Sequence, residues 1–339
     1  MARGLERLEG AVIMVTGASA GIGRAVALRL GEEGARIGLM ARDAQALEEV
    51  ARAVRSRGGE ALVLPCDVAD AEGVFRAADE LERAFGPLDG WVNDAMVTVF
   101  APVHETSPEE YRRVTEVTYL GTVHGSLAAL RSMRRSGRGV ICQVGSALAY
   151  RGIPLQSAYC AAKHAIVGFS DSLRAELVHD GMPIAVTEVH LPAVDTPQFD
   201  WSRSKMPRPP RPSGPVYTPQ AAAAAIVKAL LHPKRSYWLG GVTATTILGN
   251  SLLPGVADRY LGRNAVDGQM RPDGRGERAG NLYQPVHGLH ATSGSFSDEA
   301  SGSATMIPGP EARIGHALLA GLAAAGLGLA LAQATRTRR

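Results

Sequence analysis

The octapeptide Thr16-Gly17-Ala18-Ser19-Ala20-Gly21-Ile22-Gly23 closes an apolar run (AVIMVT) and opens a stretch of helical periodicity near the start of this 339-residue chain. Few folds accept such a turn. Glycines spaced G-x-x-x-G-x-G let the backbone turn tightly and approach an anionic group, while free N–H groups and the positive end of the next helix hold the charge. A plain strand–helix connection can look the same, so the rest of the chain decides. From Ala11 to about Leu239, the runs AVIMVT, ARIGLMA, EALVLPC, GWVN, GVICQV and PIAVTEVHL read as buried strands. Between them, Gly23–Glu33, Ala44–Arg55 and Glu72–Phe85 carry apolar residues at helical spacing. Ser107-Pro108-Glu109-Glu110 offers an N-cap, a proline in the first turn and a capping-box glutamate, and Thr218-Pro219 repeats the first two. This alternation predicts an α/β fold of Rossmann type, a doubly wound parallel sheet with helices on both faces, and it favours a dinucleotide in the glycine turn.

Three parts are expected: a catalytic domain over 1–261, a flexible linker over 262–312, and an apolar C-terminal helix with a basic tail over 313–339. The linker reading rests on a polar, glycine-rich stretch with little periodicity. The uncharged run Ile314 to Ala332 is long enough for a bilayer but diluted by alanine and glycine, so an interfacial helix at a membrane surface or a self-associating helix competes with a membrane tail anchor. Gln198–Tyr217, rich in proline and arginine, is too long for an idle loop; it is expected to be functional or disordered. A net charge of +3 gives no argument for nucleic acid, and Cys66, Cys142 and Cys160 fall in no metal-ligand spacing. With no N-terminal targeting signal visible, the expected compartment is the reducing cytoplasm.

Tyr159 and Lys163, four apart on an expected helix, share one face, and Ser146 precedes the tyrosine just after a strand end. A Tyr-x-x-x-Lys pair alone is weak; tied to the glycine turn it becomes specific. Hydride transfer to a ketone builds negative charge on oxygen, so a proton donor must lie within hydrogen-bond reach. Tyr159 supplies one, Ser146 can donate to the same oxygen, and Lys163 is expected to draw the tyrosine pKa down. At the end of the second strand, Arg42 falls where a 2′-phosphate of NADP would lie, with Ser19 adding a hydroxyl. The other reading makes Arg42 a solvated residue paired with Asp43 or Glu48. NADP(H) is favoured and NAD(H) stays open.

With these residues in hand, the chain resembles the short-chain dehydrogenase/reductase family over about Leu8 to Leu239. The likeness rests on TGASAGIG, Cys66-Asp67-Val68, Val92-Asn93-Asp94-Ala95, the Ser146, Tyr159 and Lys163 set, and Leu191-Pro192-Ala193-Val194-Asp195-Thr196. It implies a cofactor site built from Gly17, Ser19, Gly21, Ile22 and Gly23. Asp67 and Val68 would border the adenine and Asn93 the nicotinamide-side ribose region. Pro192, Val194 and Thr196 would lie around the carboxamide and pyrophosphate. Tyr159 would be the general acid/base, Ser146 the orienting hydroxyl and Lys163 the ribose anchor. Four residues, at three places, depart from the family pattern. Asp94 and Met96 replace an asparagine and a glycine, Ala193 replaces a glycine, and Thr118 stands where many members carry an asparagine that holds a water linking the lysine to solvent. A threonine hydroxyl is expected to keep that water with altered geometry.

The resemblance also implies a small-molecule carbonyl or alcohol substrate and a homo-oligomer pairing through the helices that open near Ser107 and Ser157. Phe199, Trp201, Met206 and Tyr217 suggest a lipophilic substrate, or else pack on the domain, and Arg203, Lys205, Arg208 and Arg211 would touch anionic head groups or be solvated. The expected activity is NADP(H)-dependent interconversion of a secondary alcohol and a ketone; the rival is a catalytically weak cofactor-binding sensor or scaffold. An epimerase or dehydratase fits the glycine spacing less well.

Overall fold

The structure, a computed structural model, describes residues 3–309. In chain order its main elements are β1 (Val12–Thr16), α1 (Gly21–Glu32), β2 (Arg36–Ala41), α2 (Ala44–Arg55), β3 (Glu60–Pro65), α3 (Ala71–Phe85), β4 (Gly90–Asn93) and β5 (Val99–Phe100). There follow α4 (Pro108–Val114), α5 (Gly121–Ser136), β6 (Gly139–Ser146), α6 (Ser157–His179), β7 (Ile184–Leu191), β8 (Ala193–Val194), α7 (Gln198–Trp201), β9 (Arg203–Ser204) and β10 (Val216–Tyr217). The chain continues with α8 (Pro219–Leu231), β11 (Ser236–Leu239), α9 (Gly240–Leu252), α10 (Pro254–Gly268), β12 (Ala300–Ser301) and β13 (Met306–Pro308).

Eight strands form the central sheet in the order β13-β11-β7-β6-β4-β1-β2-β3, parallel except for β13. Residues in β1, β6 and β7 are buried along their whole length, as strands covered on both faces must be. On one face Ile13 and Ile37 pack with Val26, Leu47 and Ile226 of α1, α2 and α8. On the other, Met14 and Trp91 pack with Leu81, Ala129 and Leu177 of α3, α5 and α6. The expected doubly wound sheet is present. Its strand order reverses between β1 and β4, and the crevice at their carboxyl ends is where such sheets hold ligands.

The cap signals act as read. Ser107 Oγ accepts from Glu110 N at 3.3 Å while Glu110 Oε2 accepts from Ser107 N at 2.9 Å, and Thr218 Oγ1 accepts from Ala221 N at 3.3 Å. Residues 262–308, read as linker, lie across the domain. β12 pairs with β10, β13 closes the free edge of β11, and Leu282 and Phe296 are buried. Periodicity misses this stretch because it has no apolar face of its own; polar bonds to neighbouring backbone and single apolar anchors hold it. The basic residues of 198–217 meet intrachain carboxylates. Glu110 takes both Arg203 (3.0 Å) and Lys205 (2.8 Å), while Arg211 reaches Glu299 at 2.7 Å and Arg208 reaches Asp267 at 3.3 Å. Among the described residues no helix is long and apolar enough to cross a membrane, and the run 314–332 lies outside them.

Candidate active site

A cavity of about 800 Å³ opens at the switch point. Gly17, Ser19, Gly21, Ile22, Arg42, Asp67, Val68, Ser146, Tyr159, Lys163, Pro192, Val194 and Thr196 all line it, so most of the residues singled out in the sequence converge on one space. Gly17 has φ +73°, and a Cβ there would stand 3.0 Å from the backbone of Ala95. Gly21 has φ +56°, and a Cβ there would stand 3.2 Å from the Thr196 side chain. Both glycines are therefore required by conformation and by space. Ala20 ahead of α1 gives no side-chain cap and the first turn holds no acidic residue; Gly21 N is taken by Ala291 O at 2.9 Å and the Gly23 amide by Asp94, so an anion would meet the other N–H groups of the turn. The cradle fits a dinucleotide: donors at the turn, Asp67 and Val68 on one flank, and the hydroxyls of Ser146 and Tyr159 at the far end.

Tyr159 and Lys163 lie on the first two turns of α6, and Ser146 ends β6, where its Oγ accepts from Leu148 N at 3.1 Å. Ahead of α6, Leu155 holds φ +69°, rare for a branched side chain; its burial beside Phe100 and Met206 keeps it there. Burial pushes the Tyr159 hydroxyl above its ordinary pKa, and the hydrogen bond with Ser146 works against that. The expected lowering by Lys163 does not prevail. Its Nζ donates to Val144 O at 2.6 Å and stands 5.7 Å from the centre of the Tyr159 ring. Burial lowers the Lys163 pKa, opposed by Asp94, and burial raises that of Asp94, opposed by Lys163 and the Gly23 amide.

Two expected site residues point elsewhere. Asn93 turns into the interior, where Oδ1 accepts from Trp91 Nε1 at 2.8 Å and Nδ2 donates to Gln143 Oε1 at 2.9 Å. It ties β4 to β6 and α5 and does not line the cavity. The Thr118 hydroxyl donates to Val97 O at 3.0 Å and accepts from Val97 N at 3.1 Å, inside the π-helical turn Thr115–Leu120. Its hydroxyl therefore fastens backbone and is not directed at a water beside Lys163. Gly23 does not line the cavity either; it is small because a Cβ would stand 2.4 Å from the backbone oxygen of Gly17.

Arg42 lines the cavity but pairs with neither Asp43 nor Glu48; its guanidinium donates to Asn281 O at 2.7 Å and Tyr283 O at 3.1 Å. Asp67 forms an ion pair with Arg113, whose Nε donates to Leu282 O at 3.0 Å. Among the side chains of 198–217, Phe199 and Trp201 reach the cavity, whereas Met206 is buried with Phe100 and Leu155. Val242, Thr246, Ala257, Tyr260 and Leu261 of α9 and α10 also line the cavity. Sequence reading missed these, and also Asn281 and His290, because no motif or periodicity marks them. Asp94 stood in view as a departure, but only folding shows its charge facing Lys163.

A family model described as short chain dehydrogenase matches residues 11–207. The uncharacterized oxidoreductase YxnA of Bacillus subtilis is 33% identical over 292 residues, covering 84% of this chain and 81% of that one. A fatty acyl-CoA reductase of Acinetobacter baylyi is 31% identical over 233 residues, 68% of this chain and 76% of its own. Dehydrogenase/reductase SDR family member 7B of Bos taurus is 35% identical over 182 residues, 52% and 56% of the two chains. A parallel sheet reversing at a glycine turn, a serine, tyrosine and lysine gathered beside it, and a family match over more than half the chain lead to one assignment: this protein belongs to the short-chain dehydrogenase family and is an oxidoreductase.

Proposed function

We propose that the protein interconverts a secondary alcohol and a ketone with NADP(H), acting on a lipophilic substrate with Tyr159 as general acid/base. The gathering of Ser146, Tyr159 and Lys163 at the inner end of the cavity carries this reading. The nicotinamide supplies or accepts the hydride when bound. Tyr159 donates the proton to the carbonyl oxygen; burial raises its pKa and so weakens it as an acid, which the nearby Lys163 charge and the Ser146 hydroxyl have to offset. Ser146, which also lines the cavity, adds a second donor to the same oxygen. Lys163, fixed by Val144 O, holds positive charge close to the tyrosine and within reach of a ribose hydroxyl.

Support for NADP(H) comes from Arg42 on the cavity wall at the end of β2, beside Ser19. Phe100, Leu148, Ile153, Phe199 and the α9–α10 side chains favour an apolar substrate. The relative named a fatty acyl-CoA reductase is in keeping with that. Fluorescence titration with NADPH and NADH, followed by turnover on aliphatic, aromatic and steroid-like carbonyls, tests the reading. We expect tighter NADPH binding and turnover of an apolar carbonyl, and Tyr159→Phe should lose at least a hundredfold in turnover while still binding NADPH. Binding by both proteins with turnover by neither would favour the sensor reading.

A further inference from the structure

Residues 281–296 border the cavity and are fastened to the glycine turn, to the end of β2 and to Asp195. Gly21 N donates to Ala291 O at 2.9 Å and Arg24 Nη1 to His290 O at 2.6 Å, which ties the segment to the glycine turn and α1. Arg42 donates to Asn281 O and Tyr283 O at the end of β2, and His287 Nδ1 lies 2.5 Å from Asp43 Oδ2 at the start of α2. At the other end, Gly294 N donates to Asp195 O at 3.2 Å and Phe296 N to Asp195 Oδ1 at 2.9 Å. A chain crossing from β2 to the loop after β7 in this way bridges the crevice in which a dinucleotide would lie.

His290 lies at the middle of the crossing. Its side chain is 9% exposed and lines the cavity, with its ring 5.3 Å from that of Trp201. Nε2 comes within 3.2 Å of Asp43 Oδ2 but out of line for a hydrogen bond, and neither ring nitrogen has a hydrogen-bond partner. Arg24 Nε and Asn281 Oδ1 are likewise buried without partners. Buried polar atoms are ordinarily satisfied. Here an imidazole and a guanidinium N–H are left over beside a turn built for phosphate, together with an amide oxygen able to take a hydroxyl.

We propose that residues 281–296 form a strap belonging to the dinucleotide site, and that His290 donates a hydrogen bond to a phosphate of the bound cofactor. The proposal rests on the reading of the cavity as a nicotinamide dinucleotide site and adds to it a residue from outside the segment that the family model matches. Because the strap closes the crevice, the dinucleotide enters and leaves only when the Ala291, His290 and Asp195 bonds open together. His290 is a positioning and binding residue; the hydride and proton steps do not pass through it.

Two measurements on the full-length protein test this. Amide hydrogen exchange with and without NADPH or NADH should show slower exchange over residues 281–296 when the dinucleotide is present. Fluorescence titration should give a dissociation constant about tenfold higher for His290→Ala, the loss of one charge-assisted hydrogen bond, and His290→Gln, which keeps a donor, should recover part of it. A loss confined to NADPH would assign His290 to the 2′-phosphate, and an equal loss with NADH would assign it to the pyrophosphate. The proposal is overturned if the dinucleotide binds while exchange over the strap is unchanged or faster, or if His290→Ala binds both cofactors as the wild type does. If the wild type bound neither cofactor, the dinucleotide reading itself would fall, and that result is distinct from the other two.

Discussion

Asp94 is the residue whose chemistry sequence reading valued least and folding changes most. Its backbone N–H and that of Ala95 donate to Thr16 Oγ1, both at 3.1 Å, which brings its carboxyl to the start of α1 against Gly23. There it opposes the burial that would discharge Lys163. On the mechanism proposed above, Tyr159 gives up its proton in ketone reduction while Lys163 is charged, and that charge is lost as pH rises through its lowered pKa. Rate should therefore fall on the alkaline side. Asp94→Asn removes the carboxylate that favours the lysine cation, so the fall should begin at lower pH. The loss in kcat/KM at the alkaline end should be about tenfold for each unit by which the midpoint moves, with little change on the acid side. A pH profile of ketone reduction by both proteins checks this, and an unmoved alkaline limb would remove Asp94 from the site. Thr118 teaches the complementary lesson. Its place in the family pattern points to a water, yet its hydroxyl donates to and accepts from the single residue Val97.

At the scale of elements, six of the eight central strands announce themselves as apolar runs. The two that do not are β11 and β13; β13, three residues, is too short to show a period, whereas β11 is no shorter than the four-residue β4 that is read. β7 was legible despite carrying Glu188, whose role was not. Glu188 is 2% exposed, and its Oε1 accepts from Arg174 Nη2 of α6 at 2.6 Å, while Arg174 Nε donates to Val186 O at 2.9 Å. Burial would raise the carboxyl pKa, but His190 and Arg174 together hold it below the ordinary value. A depressed carboxylate adds stability above its unfolded pKa and loses it as pH falls through the folded one. Arg174→Met should thus cost about 3 kcal/mol or more near pH 7, by leaving a buried charge without its cation. The gap from wild type should narrow below the ordinary carboxylate range. Urea unfolding of both proteins at neutral and acid pH measures it. An equal gap at both would mean that packing of the arginine stem, and not charge, is what α6 gives β7.

For the whole molecule, the sequence marks a boundary near Leu261 because the chain turns polar and glycine-rich with little periodicity there, whereas the interactions continue to β13 at Pro308. β13 pairs Tyr237 with Pro308, Trp238 with Ile307 and Leu239 with Met306, covering what would be an open edge of the sheet. Leu282 packs into the same apolar cluster as Trp91 and Leu81, and Arg271 joins Asp200 at 2.5 Å. A fold whose cofactor domain is finished from outside its own repeating pattern should not tolerate losing that finish. Burying Leu282 and Phe296 is worth roughly 2 kcal/mol each, and in a domain of this size their loss should lower Tm by about 10 °C. A chain ended at Leu261 should show this against one ended at Gly309, and should also aggregate through the bared edge of β11. Equal Tm values and equal dinucleotide affinity would make 262–309 an appendage resting on a self-sufficient domain. A lower Tm with weakened dinucleotide binding would mean that the stretch least legible in the sequence both closes the sheet and covers the site.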